Sequence, residues 1–175
     1  DILFAYTEKA HAFTQAECNA LIAAIDALNI LDPACGSGAY PMGILHKLVF
    51  VLGKLDPNNQ QWHARQISKA EDIEDAQARE SAIVAINADF AENALDYGRK
   101  LYLIENCIYG VDIQPIAIQI AKLRFFISLI CDQKTHADKS RNLGIRPLPN
   151  LETKFVAADS LLALDPTGSN ASMAE

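Results

Sequence analysis

Apolar positions along the chain recur with two spacings. Residues 14–28 are rich in Ala, Leu and Ile at helical intervals and open with Thr14-Gln15-Ala16-Glu17. That opening is a capping box, in which a hydroxyl and a carboxylate satisfy each other's backbone amides at a helix start. The spacing therefore predicts a helix over 14–28. Residues 29–32 read as a short strand, and residues 39–54 as a second helix with Ile44, Leu48, Val51 and Leu52 on its apolar side. Asp56-Pro57-Asn58-Asn59 then breaks the pattern. Two charge-rich helical patterns follow at 60–69 and 72–93, with Ile83, Ile86, Phe90 and Leu95 as a candidate buried stripe. A helix-to-strand link ordinarily takes about 2–6 residues. Residues 55–106 are accordingly expected to be an inserted helical element whose mixed charges mark a solvated face. Contact with DNA or a partner through Lys69, Arg79, Arg99 or Lys100 is the other reading of those charges.

Residues 107–112 (Cys-Ile-Tyr-Gly-Val-Asp) predict a second strand, and Pro115 suits the first turn of the helix after it. Residues 116–130 are apolar nearly all round, which predicts a well-buried helix. Residues 132–150 are polar and carry prolines, so loops or partial disorder are expected. Residues 154–159 predict a third strand, and the tail from 165 onward reads as unstructured.

The junction of the first strand and second helix carries the most information. Ile30-Leu31 runs into Asp32-Pro33-Ala34-Cys35-Gly36-Ser37-Gly38, a strand ending in a glycine turn that opens a helix. In an open parallel sheet this is where small cofactors bind. A dinucleotide fingerprint needs a third glycine where Pro41 stands, and a phosphate loop needs a Gly-Lys-Ser/Thr that is missing here. Asp32 also disfavours a phosphate and suits a ligand with a cationic group, such as an amino-acid moiety.

A length of 175 residues, half of them apolar, fits one domain with a real core. The formal charge of −7 has the wrong sign for a module that grips nucleic-acid phosphates unaided. Cys18, Cys35, Cys107 and Cys131 are scattered, as are His11, His46, His63 and His136, so no zinc site is expected. Cys107 and Cys131 lie in apolar runs and read as small core residues. No leader or apolar run of membrane-spanning length is evident, so a reducing, cytoplasmic setting is expected.

The string Asp32-Pro33-Ala34-Cys35-Gly36-Ser37-Gly38-Ala39-Tyr40 resembles motif I of the S-adenosylmethionine-dependent N6-adenine DNA methyltransferases. Residues 40–48, 54–57, 95–100, 108–115 and 155–161 are similar to the methylase region of type IIG restriction-modification enzymes. The resemblance implies an α/β chain with a partial Rossmann-like, three-layer methyltransferase fold. Residues 1–165 would form its N-terminal, cofactor-binding half, with the helical insertion at about 55–106 and a tail at 166–175. It also implies S-adenosylmethionine as cofactor. Three predicted strands end in Asp32, Asp112 and Asp159, and in a parallel sheet these ends share one edge. A sulfonium, an ammonium, ribose hydroxyls and an adenine amine all suit carboxylate partners.

By resemblance, Asp32 and the main chain of Pro33, Ala34, Cys35, Gly36 and Gly38 hold the methionine portion. Asp112 takes the ribose hydroxyls and Ile113 covers the adenine. Asp159 takes the adenine amine, with the Ser160 N–H near the ring. Thr14 is the candidate for the methionine carboxylate at a helix N-terminus. Each acid, taken singly, also reads as a helix cap or turn former. The family's catalytic Asn-Pro-Pro-Tyr/Phe, which engages a flipped adenine, is absent from this sequence. No catalytic residue is assigned, and the chain by itself is expected to be inactive. Double-stranded DNA is expected as partner through parts outside this chain. A first strand lacking a neighbour would leave a bare edge and invite self-association, which light scattering at high concentration checks. Alternatives from other classes are a non-catalytic scaffold or interaction module, and a methyltransferase acting on RNA, protein or a small molecule.

Overall fold

The computed structural model describes residues 2–7, 9–92, 95–134 and 149–162. Most of the stretch expected to form loops at 132–150, and the tail from 163, fall outside the described residues. The order of elements is α1 (Gln15–Asp26), β1 (Ile30–Asp32), α2 (Ala39–Leu55), α3 (Gln60–Glu71), α4 (Ala76–Glu92), α5 (Leu95–Asn106), β2 (Ile108–Asp112), α6 (Pro115–Ile130) and β3 (Phe155–Ala157).

The capping box forms as its sequence dictates: Thr14 caps α1, and the Glu17 carboxylate answers the Thr14 amide. The strands pair in parallel in the order β1-β2-β3. Asp32 sits opposite Gly110, and Gly110 opposite Phe155. Alternation along each strand then puts Ile108, Gly110 and Phe155 on one face and Leu31, Tyr109, Val111 and Val156 on the other. The first face is buried. Phe125 of α6 stacks on Phe155, their centroids 4.7 Å apart, and Gly38 at the start of α2 lies against Ala121 of α6. Leu31 on the second face is 61% exposed and Val156 41%.

The described residues thus make two layers, where three were expected. The reason is topological. Crossovers of one hand that step in one direction across a sheet lay their helices on one face, and the second face is reached only when the strand order reverses. No reversal occurs among the described strands.

The same geometry corrects the expectation for α6. Ile118, Ala121, Lys122, Phe125 and Leu129 are buried, but Ile116, Ile120, Leu123, Ile127 and Ile130 are exposed. Mean hydropathy counts apolar residues and does not register which neighbours are present. Cys131, read as a core residue, is also exposed just after α6, whereas Cys107 is fully buried.

The insertion is more deeply packed than its charge suggests. Among its described side chains α4 has none fully buried, but Ile83, Ile86 and Phe90 of the expected stripe are half-buried, and Phe90 packs against the core. Leu95, expected on its stripe, instead begins α5 and is 56% exposed. α5 was not separated from α4 in sequence, yet it supplies Tyr97, Arg99, Leu103 and Ile104 to the core. Arg99 reaches the Asp56 carbonyl and pairs with Asp96, while Asp56 caps α3 by accepting from the Gln60 and Trp62 amides. Lys100 pairs with Asp132 at 2.7 Å, and Arg79 donates to the Ile73 carbonyl. Arg79, Arg99 and Lys100 thus each have a partner within the chain.

Lys69 belongs to the tie that docks the insertion on α1. Asp26 at the end of α1 is buried and receives Arg65 at 3.0 Å, Lys69 at 2.7 Å and the Gln66 amide. Burial pushes the Asp26 carboxyl up, but bonds from Lys69, Arg65, Gln66 and Tyr102 outweigh it and leave its pKa below the ordinary value. A depressed folded-state pKa stabilises above the unfolded value, near 4, and that stabilisation is lost as pH falls through the folded one. Asp26→Asn is expected to cost about 2 kcal/mol at neutral pH through lost charge-assisted bonds. The deficit should shrink below about pH 4, and chemical denaturation across pH checks it. A deficit that persists undiminished in acid contradicts the assignment.

Candidate functional site

The C-terminal ends of β1, β2 and β3 lie along one edge because the strands are parallel. Each of the three aspartates is placed there by its own strand or the residues just after it, and each builds the same local structure. Asp32 Oδ1 accepts from the Ala34 amide at 3.1 Å, Asp112 Oδ1 from the Gln114 amide at 2.9 Å, and Asp159 Oδ1 from the Leu161 amide at 2.9 Å. In every case the donor lies two residues on, the Asx-turn geometry that lets a chain leave a strand sharply. An ionised carboxylate has about four acceptor positions, so one such bond leaves room for a ligand. The turn-forming and ligand-binding readings of these acids are compatible.

The turn between β1 and α2 is fastened to its neighbours. Gly36 and Gly38 adopt φ values of 52° and 78°, a left-handed conformation costly for side-chain-bearing residues. The Cys35 amide continues the ladder to the Val111 carbonyl at 2.9 Å, and the Gly36 amide donates to Asp112 Oδ2 at 2.8 Å. The Ser160 hydroxyl donates to the Pro33 carbonyl at 2.9 Å. Residues from all three strand ends are thus joined through the 33–36 segment.

Cys35 is buried beneath this turn. Burial first, then the Asp32 and Asp112 charges, raise its thiol pKa. It packs beneath the turn as a small residue. Ile113, directly after Asp112, is exposed beside the edge, as is Tyr40. Thr14 is placed differently. Its amide and hydroxyl both donate to Glu17, whose carboxylate already occupies the N-terminus of α1. The Thr14 amide and hydroxyl are therefore already engaged within the helix cap.

Sequence reasoning missed three features: the Asp112–Gly36 bond, the Ser160–Pro33 bond and the role of Gly110. A glycine inside a predicted strand signals a close approach, and this was the available clue. A β-carbon at Gly110 would lie 2.8 Å from Cys35 Sγ and 2.7 Å from Phe155 Cδ1. The two bonds join residues 76 and 127 positions apart and leave no local signal. A cavity of about 530 Å3 lies elsewhere, lined by Thr7, His11, Phe50, Lys54 and Asp96 among others, and includes none of the three acids. Among the described residues no His, Cys, Asp or Glu cluster is arranged to hold a metal ion, and no helix is long and apolar enough to cross a membrane.

Comparison with known proteins locates the similarity. Residues 106–169 match the Eco57I restriction-modification methylase family. Over 138 residues, 79% of this chain, the sequence is 32% identical to a Methanocaldococcus jannaschii protein named "Putative type II restriction enzyme and methyltransferase". The chain spans 9% of the length of that relative. No solved structure matches it significantly.

Proposed function

We propose, from the match of residues 106–169 to the Eco57I restriction-modification methylase family, that the chain forms the S-adenosylmethionine-binding side of a DNA adenine-N6 methyltransferase. The single observation that carries this reading is the row of acceptors on one sheet edge: Asp32, Asp112 and Asp159 on three successive parallel strand ends, beside the left-handed Gly36 and Gly38 turn. The donor groups of S-adenosylmethionine match that row in kind and number. Asp32 and the 33–38 main chain face the methionine portion, Asp112 the ribose hydroxyls, and Asp159 the adenine amine. Ile113 offers an apolar surface to the ring.

When bound, the cofactor supplies a methyl group made electrophilic by the sulfonium. The residues here bind and orient it. Groups that accept the target base and take its proton are not assigned to this chain, which lacks the Asn-Pro-Pro-Tyr/Phe sequence. Double-stranded DNA is the proposed substrate of the longer protein. Self-association through the open side of β1 is part of the same proposal, and a purely monomeric solution at high concentration removes it.

The test is a thermal shift with S-adenosylmethionine or its demethylated product, followed by a transfer assay. A ligand that binds only the folded state at a hundred times its dissociation constant stabilises by about 2.7 kcal/mol. That raises Tm by about 5–10 °C for a domain of this size. No shift at millimolar ligand sinks the cofactor reading. Tritium from labelled cofactor should not reach DNA with the chain alone, and robust transfer overturns the assignment of catalysis to residues outside it.

A further inference from the structure

We propose that the Ser160 side chain is a positioning residue, acting through Pro33 on the methionine end of the cofactor site. This rests on the cofactor reading above, and it gives the Ser160 hydroxyl a task separate from any contact of its main chain with the adenine.

β1 and β3 are not neighbours; β2 lies between them. With strands about 4.8 Å apart, their ends are separated by roughly 10 Å. The Ser160–Pro33 bond nevertheless joins the exit of β3 to the exit of β1, across the end of β2. Asp159 makes this possible. Its bond to the Leu161 amide bends the chain immediately after β3 and sets the direction of Ser160.

The other side of the bond is equally specific. Proline has no N–H, so the carbonyl is the one hydrogen-bonding group Pro33 possesses. The later part of the turn is held by β2, through Cys35 to the Val111 carbonyl and Gly36 to the Asp112 carboxylate. The earlier part, Pro33 and Ala34, is exposed. Among the described residues its polar ties are the Asp32–Ala34 bond, which moves with it, and the bond from Ser160. The Ser160 hydroxyl is thus the long-range hold on the segment that faces the methionine portion.

Removing that hydroxyl lets water take its place on an exposed carbonyl, so global stability should barely change. The 33–34 segment becomes free to sample other positions, and its ligand must bear the cost of ordering it. A bond of this kind is worth about 0.5–1.5 kcal/mol, or roughly 2- to 10-fold in affinity.

The experiment compares the wild-type chain with Ser160→Ala and Ser160→Thr. Ligands are S-adenosylmethionine, S-adenosylhomocysteine and methylthioadenosine, which keeps the nucleoside but lacks the amino-acid group. Ser160→Ala should weaken the first two by about 5-fold and methylthioadenosine by less than about 2-fold, with Tm unchanged without ligand. Ser160→Thr should restore affinity. Equal losses for all three ligands overturn the proposal, because Ser160 would then act directly at the nucleoside. Unchanged affinity for all three overturns it as well.

A ligand-free measurement separates this from failure of the cofactor reading. Cys35 is buried under the turn while Cys131 is exposed. Alkylation of Cys35 should be several-fold faster in Ser160→Ala, with Cys131 as an unchanged internal reference. Equal Cys35 rates in the two proteins refute the hold itself. Faster Cys35 labelling in a chain that binds none of the three ligands would preserve the hold, sink the cofactor reading, and with it the assigned role.

Discussion

Asp112→Ala should reduce affinity for S-adenosylmethionine by at least about 100-fold. Two ribose hydroxyls donating to a charged acceptor are worth about 1.5–3 kcal/mol each, and about 1.4 kcal/mol is tenfold. A second loss adds to this. Asp112 Oδ2 holds the Gly36 amide at 2.8 Å and Oδ1 the Gln114 amide at 2.9 Å, so the glycine turn loosens when the carboxylate is removed. Both amides can turn to water, and the stability cost should stay near 1 kcal/mol. Isothermal titration together with the Tm of the free chain separates the two effects. Affinity within threefold of the wild type would show that Asp112 is a turn former and nothing more.

Gly110→Ala is expected to destabilise the fold by about 3 kcal/mol, the upper part of the range for overpacking a filled core. The new β-carbon would lie 2.7 Å from Phe155 Cδ1, 2.8 Å from Phe155 Cε1 and 2.8 Å from Cys35 Sγ. None of these can move cheaply. Phe155 is fully buried against Phe125, and Cys35 is anchored to Val111. Gly110 itself lies in the central strand, paired on both sides. A loss of this size lowers Tm by about 6–12 °C. Cys35→Ala opens one side of the site, so the double variant should recover more than about 0.5 kcal/mol beyond additivity. A Gly110→Ala chain as stable as the wild type would mean that the sheet and turn are not packed this closely.

The elements legible in the sequence are those governed by neighbours within a few residues. The capping box places the start of α1 because its two bonds span three positions. Pro115 marks the first turn of α6 by lacking an amide N–H, which has no acceptor there in any case. The Asp-Pro-Ala-Cys-Gly-Ser-Gly turn is readable because Gly36 and Gly38 satisfy a local backbone requirement. The aspartates at 32 and 112 close their strands, and Asp159 follows β3, each with a bond two residues away.

Tertiary structure decided the rest. The charges of the insertion looked solvated until Arg99 was seen buried between Asp56 and Asp96, a pairing that depends on where α5 lands against α2 and α3. The apolar circumference of α6 suggested burial all round, and only the single helical layer leaves Ile120, Leu123 and Ile127 in solvent. The bonds from Gly36 to Asp112 and from Ser160 to Pro33 exist because a parallel sheet brings distant strand ends to one edge. Sequence by itself determined which groups can turn the chain and accept a hydrogen bond, because those are properties of residues and their near neighbours. Which groups meet was settled by strand order and layer count, which depend on long-range packing that no short window of sequence contains.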